Sequence, residues 1–135
     1  MNEFVWPVRV YYEDTDAGGF VYYANYLKFF ERARSEYLRS LGYEQDQLAD
    51  VHNIRFIVYR ANIEYIKPAY FNELLNVSAG LSGLRKTSLL FRQVIHNQRQ
   101  ERICQAEIKI ACVDKTTLKP VIIPKFIISE LDHVN

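Results

Sequence analysis

Residues 25 to 41 constrain the fold of this chain more than any other stretch. On a 3.6-residue wheel Tyr26, Leu27, Phe29, Phe30, Ala33, Tyr37, Leu38 and Leu41 fill one half, and Lys28, Glu31, Arg32, Ser35, Glu36 and Arg39 fill the other. A helix lying on a surface needs an apolar stripe of only roughly 100°. A helix that is apolar over half its circumference must be wrapped by something. Gly42 follows directly and suits the left-handed residue that ends many helices.

The rest of the chain supplies the wrapping. Val5 to Tyr12, rich in β-branched and aromatic residues, predicts a strand before the helix, closed by the polar and glycine-containing stretch Glu13 to Gly19. After a short linker, Ile54 to Ile66 predicts a long strand ended by Lys67-Pro68. Leu75, Val77, Ala79 and Leu81 then alternate with Asn76, Ser78, Gly80 and Ser82, the period of a half-buried antiparallel strand. Thr87 to His96 and Cys104 to Cys112 predict two more, and a last strand is expected near Val121 to Ile127. The plan is α+β: one domain over residues 1–135, with a long central helix wrapped by a curved antiparallel sheet of about five or six strands. Alternating βαβ units would need several more helices.

Such a sheet leaves its outer face and edges uncovered. The chain has ten Tyr, eight Phe and one Trp, so two subunits are expected to continue the sheet side by side, with pairs stacking into a tetramer. A formal charge of +1 lacks the basic footprint of a nucleic-acid binder. No run approaches the roughly 18 apolar residues of a membrane span, and the N-terminal residues do not read as a secretory signal, so a cytoplasmic protein is expected. Cys104 and Cys112, eight apart on one expected strand, would stand roughly 26 Å apart, beyond reach of a disulfide. His52, His96 and His133 are scattered, and no CxxC, HExxH or calcium loop is present. Neither a metal nor a cofactor is implied.

The densest polar cluster is Glu13, Asp14, Thr15 and Asp16, followed by Ala17-Gly18-Gly19 and then the helix. Glycine permits close approach of backbone to ligand, and a helix N-terminus offers free amides and partial positive charge. A carboxylate beside such amides suits acyl transfer, in which one attacks or activates water and the other steadies the developing oxyanion. Asp14 and Asp16 as plain loop or helix caps fit the same spacing. Rival signatures are weak. Gly80-Leu81-Ser82-Gly83 has Leu84 where a nucleophile elbow needs glycine, and both cysteines share the face of Ala106, Ile108 and Ile110. Arg34 falls among the apolar helix positions, so it needs a carboxylate partner, with Glu31 and Asp14 the candidates for an ion pair. Arg85, Lys86 and Thr87 crowd a turn that suits either plain solvation or phosphate binding.

The run Val10 to Tyr26, with Glu13-Asp14-Thr15-Asp16-Ala17-Gly18-Gly19 at its centre, resembles the signature of 4-hydroxybenzoyl-CoA-type hotdog thioesterases. Within them it is similar to the Tol-Pal-associated acyl-CoA thioesterase branch, as are Leu27 to Leu38, Arg85-Lys86-Thr87-Ser88 and the segment near Pro120 and Pro124. The resemblance spans nearly the whole chain. It implies a hotdog fold, dimers with active sites at their interface, and assembly into tetramers. It implies Asp16 as catalytic carboxylate, acting as nucleophile or as general base, and the backbone amide of Tyr23 as oxyanion donor. Gly19 would let the thioester approach, and Arg85, Lys86 and Thr87 would bind coenzyme A from the neighbouring subunit. Many members of the Tol-Pal branch carry His where this chain has Tyr23, so an imidazole contribution is missing. The acyl group, on coenzyme A or on acyl carrier protein, is not specified. Two other readings use the same pocket: a non-catalytic acyl-thioester or carrier-protein binding module of the cell-envelope Tol-Pal system, and a hotdog dehydratase, for which a suitably placed His is missing.

Overall fold

The computed structural model describes residues 3–134, and side chains as far as Leu131. The elements follow in the order β1 (Phe4–Arg9), α1 (Asn25–Ser40), α2 (Gln45–His52), β2 (Ile54–Tyr65), β3 (Leu74–Leu84), β4 (Ser88–His96), β5 (Arg102–Asp114) and α3 (Lys125–Val134). The five strands form one antiparallel sheet in the order β1-β3-β4-β5-β2.

The helix is embedded as its wheel requires. Phe29, Phe30 and Ala33 are fully buried against Leu75, Val77, Phe91, Ile95 and Ile108 on the concave face of the sheet. Each buried phenylalanine contributes about 2–3 kcal/mol relative to an exposed ring. Leu27 departs from the wheel: it is 41% exposed, on a flank the sheet does not cover. α1 ends at Ser40, with Leu41 as its C-cap, and Gly42 follows at φ 93°, the left-handed geometry expected of it.

Three local expectations are corrected. The first strand stops at Arg9, and Tyr12–Asp14 form a single 3-10 turn. The linker contains α2, a short helix that buries only Leu48 and Ala49. The expected strand from Val121 to Ile127 does not form. Val121 N–H reaches Cys112 O and Ile123 N–H reaches Lys86 O, after which the chain turns into α3 at Pro124. The spacing of Ile123, Ile127 and Leu131, all fully buried, is a helical stripe.

Polar residues also enter the core. Arg34, 8% exposed, donates from Nη1 to Gln93 Oε1 at 2.9 Å, while Gln93 Nε2 donates to Phe30 O and Ser78 O at 3.0 and 3.1 Å. The ion pair expected between Arg34 and Glu31 or Asp14 is therefore replaced by an amide. Glu31 instead accepts from Ser35 Oγ and acts on Arg34 only through its field. Burial lowers the Arg34 pKa to about 10, with Glu31 opposing the shift. Cys104 and Cys112 are free and fully buried, and desolvation pushes their thiols up to about 12 and about 11.

Candidate active site

The loop between β1 and α1 is built around a buried carboxylate. Asp14, 4% exposed, accepts from Tyr11 N–H at 2.8 Å through Oδ2 and from Asn25 Nδ2 at 3.0 Å through Oδ1, tying the loop to the first residue of α1. Its carbonyl accepts from Tyr22 N–H at 2.9 Å. Every donor to Asp14 belongs to the scaffold and the residue is buried, so this carboxylate braces the loop.

Asp16 differs in each respect. Thr15 bridges Val21 across a tight hairpin, within which Asp16 N–H reaches Phe20 O at 2.9 Å and Gly19 N–H reaches Asp16 O at 3.1 Å. Gly19 turns the chain at φ 82°, which is why glycine stands there. The Asp16 side chain is exposed, and its Oδ1 accepts from Gly18 N–H at 2.9 Å. Among the described residues Oδ2 has no donor, so one oxygen orients the carboxylate and the other faces the solvent.

The start of α1 supplies the second component. Ala24, its N-cap, has helical dihedrals and no side-chain cap. Asn25 N–H closes a turn onto Tyr22 O at 2.8 Å, leaving the Tyr23 N–H without an acceptor among the described residues. Asp16 and Tyr23 line one groove of about 400 Å³, together with Phe20, Tyr22, Tyr26 and Tyr65. Asp16, whose carboxylate is exposed, and Tyr23, whose amide is free at the positive end of a helix, thus line one aromatic-walled space.

The sequence reading missed three members of this site. Gly18 holds the carboxylate, Tyr65 ends β2 at the wall of the groove, and Lys67 also lines it while pairing with Glu101 at 2.8 Å. Lys67-Pro68 read only as a strand stop, because nothing local shows that β2 ends beside the β1–α1 loop.

Arg85, Lys86 and Thr87 are not in this groove. They form the β3–β4 turn, where Thr87 O accepts from Cys112 N–H and Lys86 O from Ile123 N–H. Cys112 pairs with Phe56 near the start of β2, whereas Tyr65 at its end pairs with Cys104. The basic turn and Asp16 therefore lie toward opposite ends of β2, about 30 Å apart along the strand.

Residues 10–131 match the family model of the thioesterase-like superfamily. The chain is 43% identical over 127 residues to the acyl-CoA thioester hydrolase YbgC of Escherichia coli O6:H1, covering 94% of each chain. It is 43% identical over 133 residues to the acyl-CoA thioesterase YbgC of Haemophilus influenzae, covering 98% of this chain and 97% of that one. A crystal structure from Bartonella henselae described as a probable thioesterase superposes with a TM-score of 0.87 at 33% identity, covering 91% of this chain and all of that one. The wrapped helix, the five-stranded sheet and these relatives agree: the chain has the hotdog fold and belongs to the thioesterase-like superfamily, among its YbgC-type acyl-CoA thioesterases.

Proposed function

We propose that this protein hydrolyses acyl-CoA thioesters to free acid and coenzyme A, with Asp16 as the catalytic carboxylate and the Tyr23 amide as oxyanion donor. The observation that carries the proposal is that an exposed, oriented Asp16 lines one groove with Tyr23, the residue whose N–H is left free. A thioester carbonyl seated with its oxygen on the Tyr23 N–H has its carbon open to Asp16. By one route Asp16 attacks that carbon, coenzyme A leaves as its thiolate, and water cleaves the mixed anhydride. By the other, Asp16 takes a proton from water as the water oxygen attacks, and the same thiolate leaves. In both, charge on the carbonyl oxygen grows toward the helix start, where a preorganised donor is worth most.

The reading extends to a dimer. β2 is an edge strand of twelve residues with Val58, Tyr59 and Tyr65 exposed by 53%, 63% and 47%, whereas the opposite edge strand carries Pro7, which lacks an amide donor. A two-fold axis through the middle of β2 sets each strand's start beside its partner's end. It brings the basic turn Arg85 to Thr87 of one subunit toward the Asp16 groove of the other, where coenzyme A phosphates would meet it.

The test compares wild type with Asp16→Asn on acyl-CoAs from short aliphatic through long-chain to aromatic. The exchange should lower turnover about a hundredfold or more, with the fold intact because Asp16 is exposed. Activity within a few-fold of wild type would remove Asp16 from the mechanism. Single turnover in ¹⁸O-labelled water separates the routes. Label in Asp16 marks attack by the carboxylate, whereas label confined to the released acid fits general-base action or an anhydride opened at its acyl carbon, which trapping of an acyl-Asp16 species tells apart.

A further inference from the structure

The oxyanion donor opens a turn with no side-chain cap, and the middle peptide of that turn needs a hold of its own. Tyr22 O accepts from Asn25 N–H at 2.8 Å, which makes Tyr23 and Ala24 the central residues of the turn. The peptide plane between those two is the part of a turn with the greatest freedom to rotate, because its own groups make no bond across the turn. Its carbonyl, Tyr23 O, accepts from the Tyr65 hydroxyl at 3.2 Å. The Tyr65 ring also meets the Tyr23 ring edge-on, with centroids 6.1 Å apart, and the Tyr26 ring at 5.7 Å.

Tyr65 is well placed to impose an orientation. It is the last residue of β2, in register with Cys104 of β5, and the chain beyond it stays on the sheet through Ile66 and Lys67 amides donating to Ile103 O at 2.9 and 3.1 Å. Two further bonds fasten the chain beyond this strand end to α1 and to the loop before it. Ala69 N–H donates to the Tyr26 hydroxyl at 3.1 Å, and Val21 N–H to Ala69 O at 2.9 Å. The sheet thereby acts as a rigid jig for the flexible turn.

We infer that Tyr65 is a positioning residue for thioester hydrolysis, its hydroxyl holding the Tyr23–Ala24 peptide so that the Tyr23 carbonyl stays turned away from the substrate oxygen seated on the Tyr23 N–H. The inference rests on the Tyr23 amide being the oxyanion donor. The bond from Asn25 to Tyr22 O fixes the peptide that bears the Tyr23 N–H, and the bond from Tyr65 to Tyr23 O fixes the next one. In a trans peptide the carbonyl and the amide point oppositely. Without the hydroxyl the second plane is free to turn its carbonyl, which carries partial negative charge, toward the oxygen that must accept charge.

Tyr65→Phe keeps the ring contacts and removes only the hydroxyl. It should lower kcat about tenfold, less than the direct loss of an oxyanion donor, with KM within about twofold and an unchanged melting temperature. A second readout is the stretching frequency of the thioester carbonyl of an acyl-CoA bound to Asp16→Asn, a background that holds substrate without turning it over. There the carbonyl should be shifted down from its value in water, and Asp16→Asn/Tyr65→Phe should lose most of that shift. An unchanged kcat, or a carbonyl shift that survives loss of the hydroxyl, overturns the role of Tyr65. The failures separate: an active Asp16→Asn overturns the Asp16 assignment, and an unshifted carbonyl in Asp16→Asn alone overturns the Tyr23 donor and Tyr65 with it.

Discussion

Gly18 N–H donates to Asp16 Oδ1 at 2.9 Å, and a Cβ built on Gly18 would lie 3.3 Å from that same oxygen and 3.2 Å from the Phe20 ring. The donor and the space belong to one residue. Gly18→Ala forces the carboxylate or the ring to move by a few tenths of an ångström, and a small misplacement of a reacting group is costly. Hydrolysis should fall by about fivefold to tenfold in kcat/KM, with little loss of stability. Gly19→Ala should behave oppositely. Its Cβ meets nothing within 4 Å, but φ is 82°, so the expected loss is about 1 kcal/mol of stability. Steady-state rates and denaturation curves on the two variants would check this contrast.

The core network makes a second prediction, about stability. Gln93 joins Arg34 of α1 to Ser78 of β3 and also bonds the carbonyl of Phe30. Gln93→Ala strands a buried guanidinium and removes a donor from two carbonyls, and should cost about 3–5 kcal/mol. Arg34→Met leaves only the Gln93 carbonyl oxygen without its donor, and should cost less, about 1–3 kcal/mol. In Arg34→Met/Gln93→Ala the charge and its partner go together, so the total should fall short of the sum of the single exchanges. Urea unfolding of the four proteins in a double-mutant cycle measures the coupling. Simple additivity would mean that the two side chains do not support each other.

That network also shows where sequence reading reaches its end. The burial of Arg34 was legible from the wheel, because a charged residue among Phe30, Ala33, Tyr37 and Leu38 has nowhere else to go. Its partner was not, since Gln93 is 59 residues away and lies in a strand whose other inward positions, Leu89, Phe91 and Ile95, are apolar. The long helix, β3 and β5 were legible because each repeats its period over many residues, and β2 because it is a long run of β formers. α2 was missed because its eight residues bury too little to leave a pattern. α3 was misread because Val121, Ile122, Ile123 and Ile127 are β formers, and their local preference masked the four-residue spacing that decides burial. Asp16 and Gly19 could be picked out as neighbours in one short loop. Tyr65 and Lys67 could not, because only the closed sheet brings the end of β2 to that loop.

Glu101 links the rim of the groove to pH. Its carboxylate accepts from Lys67 Nζ, Asn97 Nδ2 and Arg99 Nε, and these partners hold its pKa down to about 2 from 4.5. A carboxylate with a depressed folded pKa binds protons more readily in the unfolded chain. It therefore adds stability above the unfolded value, and that contribution is lost as the pH falls through about 2. The difference in unfolding midpoint between wild type and Glu101→Gln should be full at pH 6 and shrink steadily between about pH 4.5 and pH 2. Salt should reduce it, because the group is exposed to solvent. A difference that does not change across this window would show that Glu101 has no protonation-linked role.

The separation of Asp16 from Arg85 and Lys86 along β2 leads to a test in which each variant is impaired alone at low acyl-CoA. If coenzyme A phosphates are bound by the partner's basic turn, Arg85→Ala/Lys86→Ala should raise KM about tenfold for acyl-CoA. It should leave the KM for acyl-pantetheine, which lacks those phosphates, nearly unchanged. Mixed and reassembled with Asp16→Asn, it should form hybrids in which one of the two sites has Asp16 from one subunit and an intact basic turn from the other. Random pairing makes half of the dimers hybrid, each with one whole site of two, so about a quarter of wild-type activity should return at low substrate. Were both groups supplied by a single subunit, every site in the mixture would lack one of them, and no activity at low acyl-CoA would be regained. The recovered fraction therefore reads out directly whether the β2 edges pair as the two-fold arrangement requires.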